Sequence, residues 1–310
     1  MPTWEEVSNE IRALGNPLDS VRRKYLKLMS EYTGRNTIAY YSGFLQKPQG
    51  NTAINDSDKM AFMGVVHGLD RNKGLDLILH TPGGNIAATE SLVDYLKSLF
   101  GNNIRAFIPQ IAMSAGTMIA LSCKEIIMGK ESNIGPIDPQ VNGISCAGVV
   151  EEFRHAKEDV KKDPSSALLW QTIISKYHPT FLGDCEQAIT WSKDMVTKWL
   201  KSNMFSSEDE NEKVKKIVDY LSSHKATFNH AKHISFNEAK DLGIRVSPLE
   251  GLCDKEKGNC RDLQDCVLTI HHCYMQTFSV SSAVKITENQ LGHAMITNDI
   301  PPVSKPRPIR

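Results

Sequence analysis

The segment Leu77-Ile78-Leu79-His80-Thr81-Pro82-Gly83-Gly84-Asn85 runs an apolar stretch into two adjacent glycines and then into a helical pattern. Glycine lets the backbone turn sharply and approach a ligand, and an amide near a helix N-terminus points at negative charge. A backbone N–H in this turn can therefore hold an oxyanion. Pro-Gly-Gly is also an ordinary turn, so the reading needs a partner. That partner is Met113-Ser114-Ala115-Gly116-Thr117-Met118, which puts a serine among small residues where a strand gives way to a helix. At such a junction the hydroxyl can stand exposed as a nucleophile while the next amide, that of Ala115, faces the same oxyanion. The same position also suits a serine that caps a helix.

Two loops can share one site only if a frame brings them together. Residues 37–41, β-branched and aromatic, read as a first strand. A helix near 56–69, a strand at 76–79, a helix near 87–100 and a strand at 104–108 follow. A helix after Ser114 then leads to a strand at 125–128. Such alternation with short connections predicts an α/β fold, a parallel sheet covered by helices. Both candidate loops then leave the C-terminal ends of consecutive strands, where open α/β sheets place their sites.

Residues 147–222 carry apolar residues at helical spacing, with breaks at Pro164 and Pro179, and read as a helical flank or lid. Ser235 and Glu238 have capping-box spacing. The helix they open stops at Gly243, and residues 244–246 read as a strand before Pro248. No repeat or low-complexity linker divides the chain. The expected organisation is one α/β domain over residues 37–250, a helical N-terminal arm over 1–36, and a C-terminal helix and tail over 251–310 packed on the same domain.

Metal chemistry finds little support. His224, His230 and His233 form a loose cluster without an HExxH pattern or a cysteine pair, and read as solvated loop residues. Cys253, Cys260, Cys266 and Cys273 lie near His271 and His272, but the spacing is not that of a CxxC knuckle. Residues 266–273 read as an amphipathic helix, from which adjacent histidines point in different directions. Neither a metal nor an organic cofactor is expected. Seven cysteines in 310 residues fit thiols of a reducing compartment better than a disulfide scaffold.

Three motifs in order, His80-Thr81-Pro82-Gly83-Gly84, Met113-Ser114-Ala115-Gly116 and Ile134-Gly135-Pro136-Ile137-Asp138-Pro139-Gln140, resemble the serine dehydrogenase proteinase (SDH) family, serine peptidases of the Clp/crotonase fold. The resemblance covers about residues 37–246. It implies peptide-bond hydrolysis through an acyl-enzyme on Ser114, with the amides of Gly84 and Ala115 as oxyanion donors. Gly83, Asp138 and His178 are auxiliary candidates from the residues themselves. Gly83-Gly84 is not a GxGxxG fingerprint, so nothing suggests a dehydrogenase. Clp peptidases carry a histidine about one strand and turn after the nucleophile, where this chain has Ile137-Asp138-Pro139. Relatives of the signal-peptide peptidase type use a lysine, whose amine must be desolvated to accept the serine proton.

Lys176, after the most apolar helical stretch, is the expected base. Lys157, Lys161 and Lys162 lie in a charged helix, and His155 and His178 rank behind Lys176. Asp138 either orients a base or braces the Gly-Pro turn. Two rivals stand beside the peptidase: a crotonase-like acyl-CoA enzyme, whose paired amides stabilise an enolate, and a catalytically silent scaffold. Relatives of this fold form rings or stacks, which implies a homo-oligomer built through the N-terminal helices or through Ala283-Val284-Lys285-Ile286.

Lys plus Arg and Asp plus Glu both total 36, so no overall field draws the chain to nucleic acid or to an anionic membrane. The opening Met1-Pro2-Thr3-Trp4-Glu5-Glu6 lacks a secretory pattern, and no apolar run reaches the roughly 20 residues a bilayer requires. A cytoplasmic location is expected, with a peptide or protein substrate as partner.

Overall fold

Successive side chains of a strand point to opposite faces of its sheet, and the first strand here buries both. In the computed structural model, which describes residues 4–13, 18–141, 143–223, 231–250 and 263–299, Ile38 and Tyr40 of β1 (Asn36–Ser42) enter one apolar core while Ala39 and Tyr41 enter another. In β2 (Leu75–His80), Leu77 and Leu79 face the first core and Ile78 the second. In β3 (Ile104–Ile108), Ala106 and Ile108 oppose Phe107 in the same way. Runs this continuously apolar demand cover on both sides.

The two α/β loops are set in register by parallel pairing. β1 pairs with β2, β2 with β3, β3 with β5 (Glu125–Met128), and β5 with β10 (Val246–Pro248). Beyond β1 the sheet turns antiparallel through β11 (Ala283–Asn289) and β12 (Ala294–Asn298), giving the order β10-β5-β3-β2-β1-β11-β12. The first core is closed by α3 (Asp56–Val65), α4 (Ile86–Phe100), α5 (Ala115–Leu121), the C-terminal half of α8 (Phe181–Trp199) and α9 (Asn211–Leu221). The second is closed by α1 (Trp4–Ala13), α2 (Leu18–Thr33) and α11 (Leu263–Val280).

Smaller elements finish the rim. β4 (Ile111–Ala112), β6 (Asn133–Ile134) and β9 (Ile234–Ser235) form a three-stranded sheet, and β7 (Gln140–Val141) pairs with β8 (Ile144–Ser145). Helices α6 (Cys146–Lys162) and α7 (Ala167–Ile174) join the start of α8 in the expected flank, which has a small core at Cys146, Val149 and Cys185. Helix α10 (Phe236–Leu242) opens with the Glu238 amide donating to the Ser235 hydroxyl at 3.4 Å. It closes at Gly243, whose φ of 97° is left-handed.

The N-terminal helices pack on the sheet: Val21, Tyr25 and Met29 recur every fourth residue and are buried in the second core. One expectation changes. Residues 283–286, expected on an association surface, form the start of β11 inside the sheet. Polar residues disguise that strand. Lys285, Thr287, Glu288 and Asn289 are at most 2% exposed, and their partners lie far off in sequence. Glu288 accepts from the buried Arg22 and from Arg23, and Asn289 donates to the Val65 carbonyl.

Candidate active site

The ends of β2 and β4 are stitched together around Thr81. Its amide donates to the Ile111 carbonyl at 3.1 Å, and its carbonyl accepts from the Met113 amide at 3.0 Å. The Gly83-Gly84 turn and Ser114 therefore leave a common anchor. Close approach explains the glycines. A Cβ on Gly83 would lie 2.7 Å from both the Met113 carbonyl oxygen and the Ser114 Cβ, and 3.0 Å from the Ala115 nitrogen. A Cβ on Gly116 would lie 2.5 Å from Thr81 Cγ2.

Ser114 is the one non-glycine residue at positive φ among the described residues, with φ 50° and ψ −116°. Such a conformation costs on the order of 1–3 kcal/mol and persists only where its surroundings hold it. It is also the geometry that lifts a nucleophile out of a strand-to-helix turn. Ser114 stands at the N-cap position of α5, yet its hydroxyl makes no capping bond. Ser145 and Ser235, in the same position on α6 and α10, both accept from the amide three residues on.

The direction of the Gly84 amide follows from the peptide geometry around it. The Ile54 amide donates to the Gly83 carbonyl at 2.8 Å, and the Ile54 carbonyl accepts from the Asn85 amide at 2.9 Å. A trans peptide points its N–H opposite to its C=O, so the Gly84 N–H is directed away from Ile54. Neither it nor the Ala115 N–H, which opens α5, has a hydrogen bond among the described residues.

These groups border a cleft of about 450 Å³. Ser114 and residues 82–87 line it together with Ala53, Met118, Ile137, residues 139–141, and Ala188 and Trp191 of α8. Thr117 fixes the opposite wall by donating to the Ala112 carbonyl at 2.8 Å and accepting from the Gly135 amide at 2.9 Å. Ser192 adds a 2.9 Å bond to the Ile137 carbonyl. Trp191 is steadied by its indole donating to Glu90 at 3.2 Å. Sequence reasoning missed Ile54, Thr117, Ser192 and Trp191, because each acts through a contact that no local pattern announces.

The proton acceptor is where expectation and geometry part. Among the described residues lining the cleft, none is Lys, His, Asp or Glu. Lys176 is exposed beyond the end of α7 and does not line the cleft, so the desolvation a lysine base requires is missing in the single chain. His178 is exposed, with Nδ1 3.2 Å from Thr180 Oγ1. His155 pairs with Glu151 at 3.3 Å, and Lys162 and His233 are exposed. Lys157 and Lys161 line a different groove, between α6 and α7. Asp138 is fully buried between two wall residues without lining the cleft itself. His224, His230, Cys253 and Cys260 lie outside the described residues.

Other nucleophiles are silenced. Burial pushes the Cys123 and Cys146 thiols up to about 12, so neither supplies a thiolate at neutral pH. Burial pushes His80 down to about 3. Its ring is packed among Phe44, His271 and Tyr41, with centroids at 4.9, 5.1 and 5.5 Å. Cys266 and Cys273 are buried on α11, where the rings of His271 and His272 diverge by 51°. Among the described residues, no helix is long and apolar enough to cross a membrane.

Residues 43–250 match the model of a family described as ClpP-like SDH-type serine proteinase. Two uncharacterized proteins of Methanocaldococcus jannaschii are similar. One is 34% identical over 194 residues, 63% of this chain and 58% of that protein; the other is 30% identical over 194 residues, 62% of this chain and 59% of that protein. The chain thus spans less than two thirds of either relative.

Proposed function

We propose, since this chain belongs to the ClpP-like SDH-type serine proteinases, that it hydrolyses peptide bonds through an acyl-enzyme on Ser114. Ser114 Oγ attacks the carbonyl and loses its proton to a base. The amides of Gly84 and Ala115 hold the oxyanion, the leaving amine departs protonated, and water releases the acyl group. The observation that carries this reading is the strained Ser114, with its uncapped hydroxyl, beside two amides that have no hydrogen bond among the described residues. Gly83 allows the close approach, and Asp138 braces the wall that holds Ile137 and Pro139. The cleft's lining of Ile86, Met118, Ile137 and Val141 suits an apolar, uncharged substrate side chain.

A lysine base belongs to the same reading. Lys176 can serve only where assembly covers and dries it, so a homo-oligomer is part of the proposal. His178, on the same exposed turn, is the auxiliary candidate. The scaffold reading draws on the absence of a titratable side chain among the described cleft residues.

One experiment separates the readings. A serine-reactive fluorophosphonate should label Ser114 stoichiometrically by intact mass, and Ser114→Ala should take no label. Hydrolysis of a CoA thioester that survives Ser114→Ala would instead favour the acyl-CoA enzyme. Absence of label on the folded, assembled protein, with thioesters inert, would favour the scaffold.

A further inference from the structure

Lys285 and Asp58 form a buried ion pair, with side chains 2% and 3% exposed. Removing two charges from water offsets most of their attraction, so such a pair is a poor source of stability. What it supplies is direction. The Lys285 ammonium donates to both Asp58 oxygens, at 2.8 and 2.9 Å, and to the Ala53 carbonyl at 3.1 Å. Asp58 Oδ2 in turn accepts from the Asn55 amide at 2.8 Å. The pair thus grips the peptide groups on both sides of Ile54. Ile54 grips those on both sides of Gly84, and a Cβ on Gly84 would lie 2.3 Å from the Ile54 nitrogen and oxygen.

We propose that Lys285 and Asp58 are positioning residues for the Gly84 amide, holding segment 53–55 so that this donor keeps its aim into the cleft. The inference rests on the peptidase reading for its consequence, though not for its geometry. Lys285 reaches the site from β11, outside residues 43–250 that match the family. The C-terminal hairpin is therefore part of the catalytic frame. A donor displaced by about 1 Å loses on the order of 100-fold in rate.

The test compares the full chain with Lys285→Met, Asp58→Asn and Val267→Ala. The last thins the second core, on the other face of the sheet, and controls for lost stability. Hydrogen exchange and the rate of Ser114 labelling are both read. In Lys285→Met the Ile54 and Asn85 amides should exchange about tenfold faster or more, and labelling should slow about 10- to 100-fold. Val267→Ala should change neither. If Lys285→Met does not fold, Asp58→Asn, which keeps the side-chain shape, decides. Unchanged exchange at Ile54 and Asn85, faster exchange with unchanged labelling, or equal effects in Val267→Ala would each overturn the proposal. A wild-type chain that takes no label would sink the peptidase reading instead, and exchange would then settle alone whether the pair holds the turn.

Discussion

At the scale of single residues, burial decides what each group can do. Ser114 is left with a hydroxyl that makes no capping bond in a strained conformation, while Cys123 and Cys146 are held as thiols. His80 has a folded-state value of about 3 against 6.5 for the free side chain. The unfolded chain therefore binds more protons than the folded one between those values, and stability falls as pH drops below 6.5. At pH 5 the loss through this one group is about 2 kcal/mol. Beside it are the buried His271, also lowered by burial, and Tyr41, whose phenol burial raises. In His80→Phe, which keeps the ring among its aromatic partners, the difference in urea unfolding free energy between pH 7 and pH 5 should shrink by about 2 kcal/mol. An unchanged difference would show that His80 does not fold neutral.

At the scale of elements, the site is a meeting of two strand ends and a wall. Thr117 sits on the first turn of α5, one turn from Ser114, and joins the Ala112 carbonyl to the Gly135 amide. Thr117→Val preserves shape and leaves both buried groups unpaired, at a cost of about 1–3 kcal/mol each at most. The expected outcome is lower stability in urea, together with a KM raised more than kcat is lowered, because on the peptidase reading the Ile137 to Val141 wall would contact substrate without entering the chemistry. A fall in kcat alone would place Thr117 with the nucleophile rather than the wall. The glycines act at this scale too: β2 and β4 can meet so closely only because positions 83 and 116 carry no side chain.

At the scale of the molecule, α7 is the exposed face that asks for cover. None of its residues is buried, and Leu168 and Leu169 are 77% and 63% exposed. Contiguous exposed apolar surface of this kind is a candidate association site. If the chain self-associates as proposed, this face rather than residues 283–286, which the sheet consumes, is the place to test. In sedimentation velocity at micromolar concentration the wild type should run larger than one chain, and Leu168→Glu with Leu169→Glu should shift it toward the single chain. A wild type that already runs as one chain would count against assembly, and with it against a dried Lys176.

Much of this was legible in sequence. Strands 104–108 and 125–128, the αL end at Gly243, and the order of the three motifs follow from local rules: side-chain period, glycine's conformational freedom and capping geometry act between near neighbours. The strand-to-helix junction at Ser114 and the Gly83-Gly84 turn belong to the same class, since a junction written in small residues is itself the signal. Other features depend on contacts between residues far apart in the chain, and only the tertiary structure decided them. β11 was hidden because Lys285 and Glu288 become buried only once Asp58 and Arg22 meet them across more than 200 residues. Ile54 owes its part to a single bridge with Gly84. The surroundings of Lys176 are of the same kind: an apolar helix before it suggests a dry pocket, but whether a side chain is dry depends on what packs against it, and Lys176 stands exposed in the described chain.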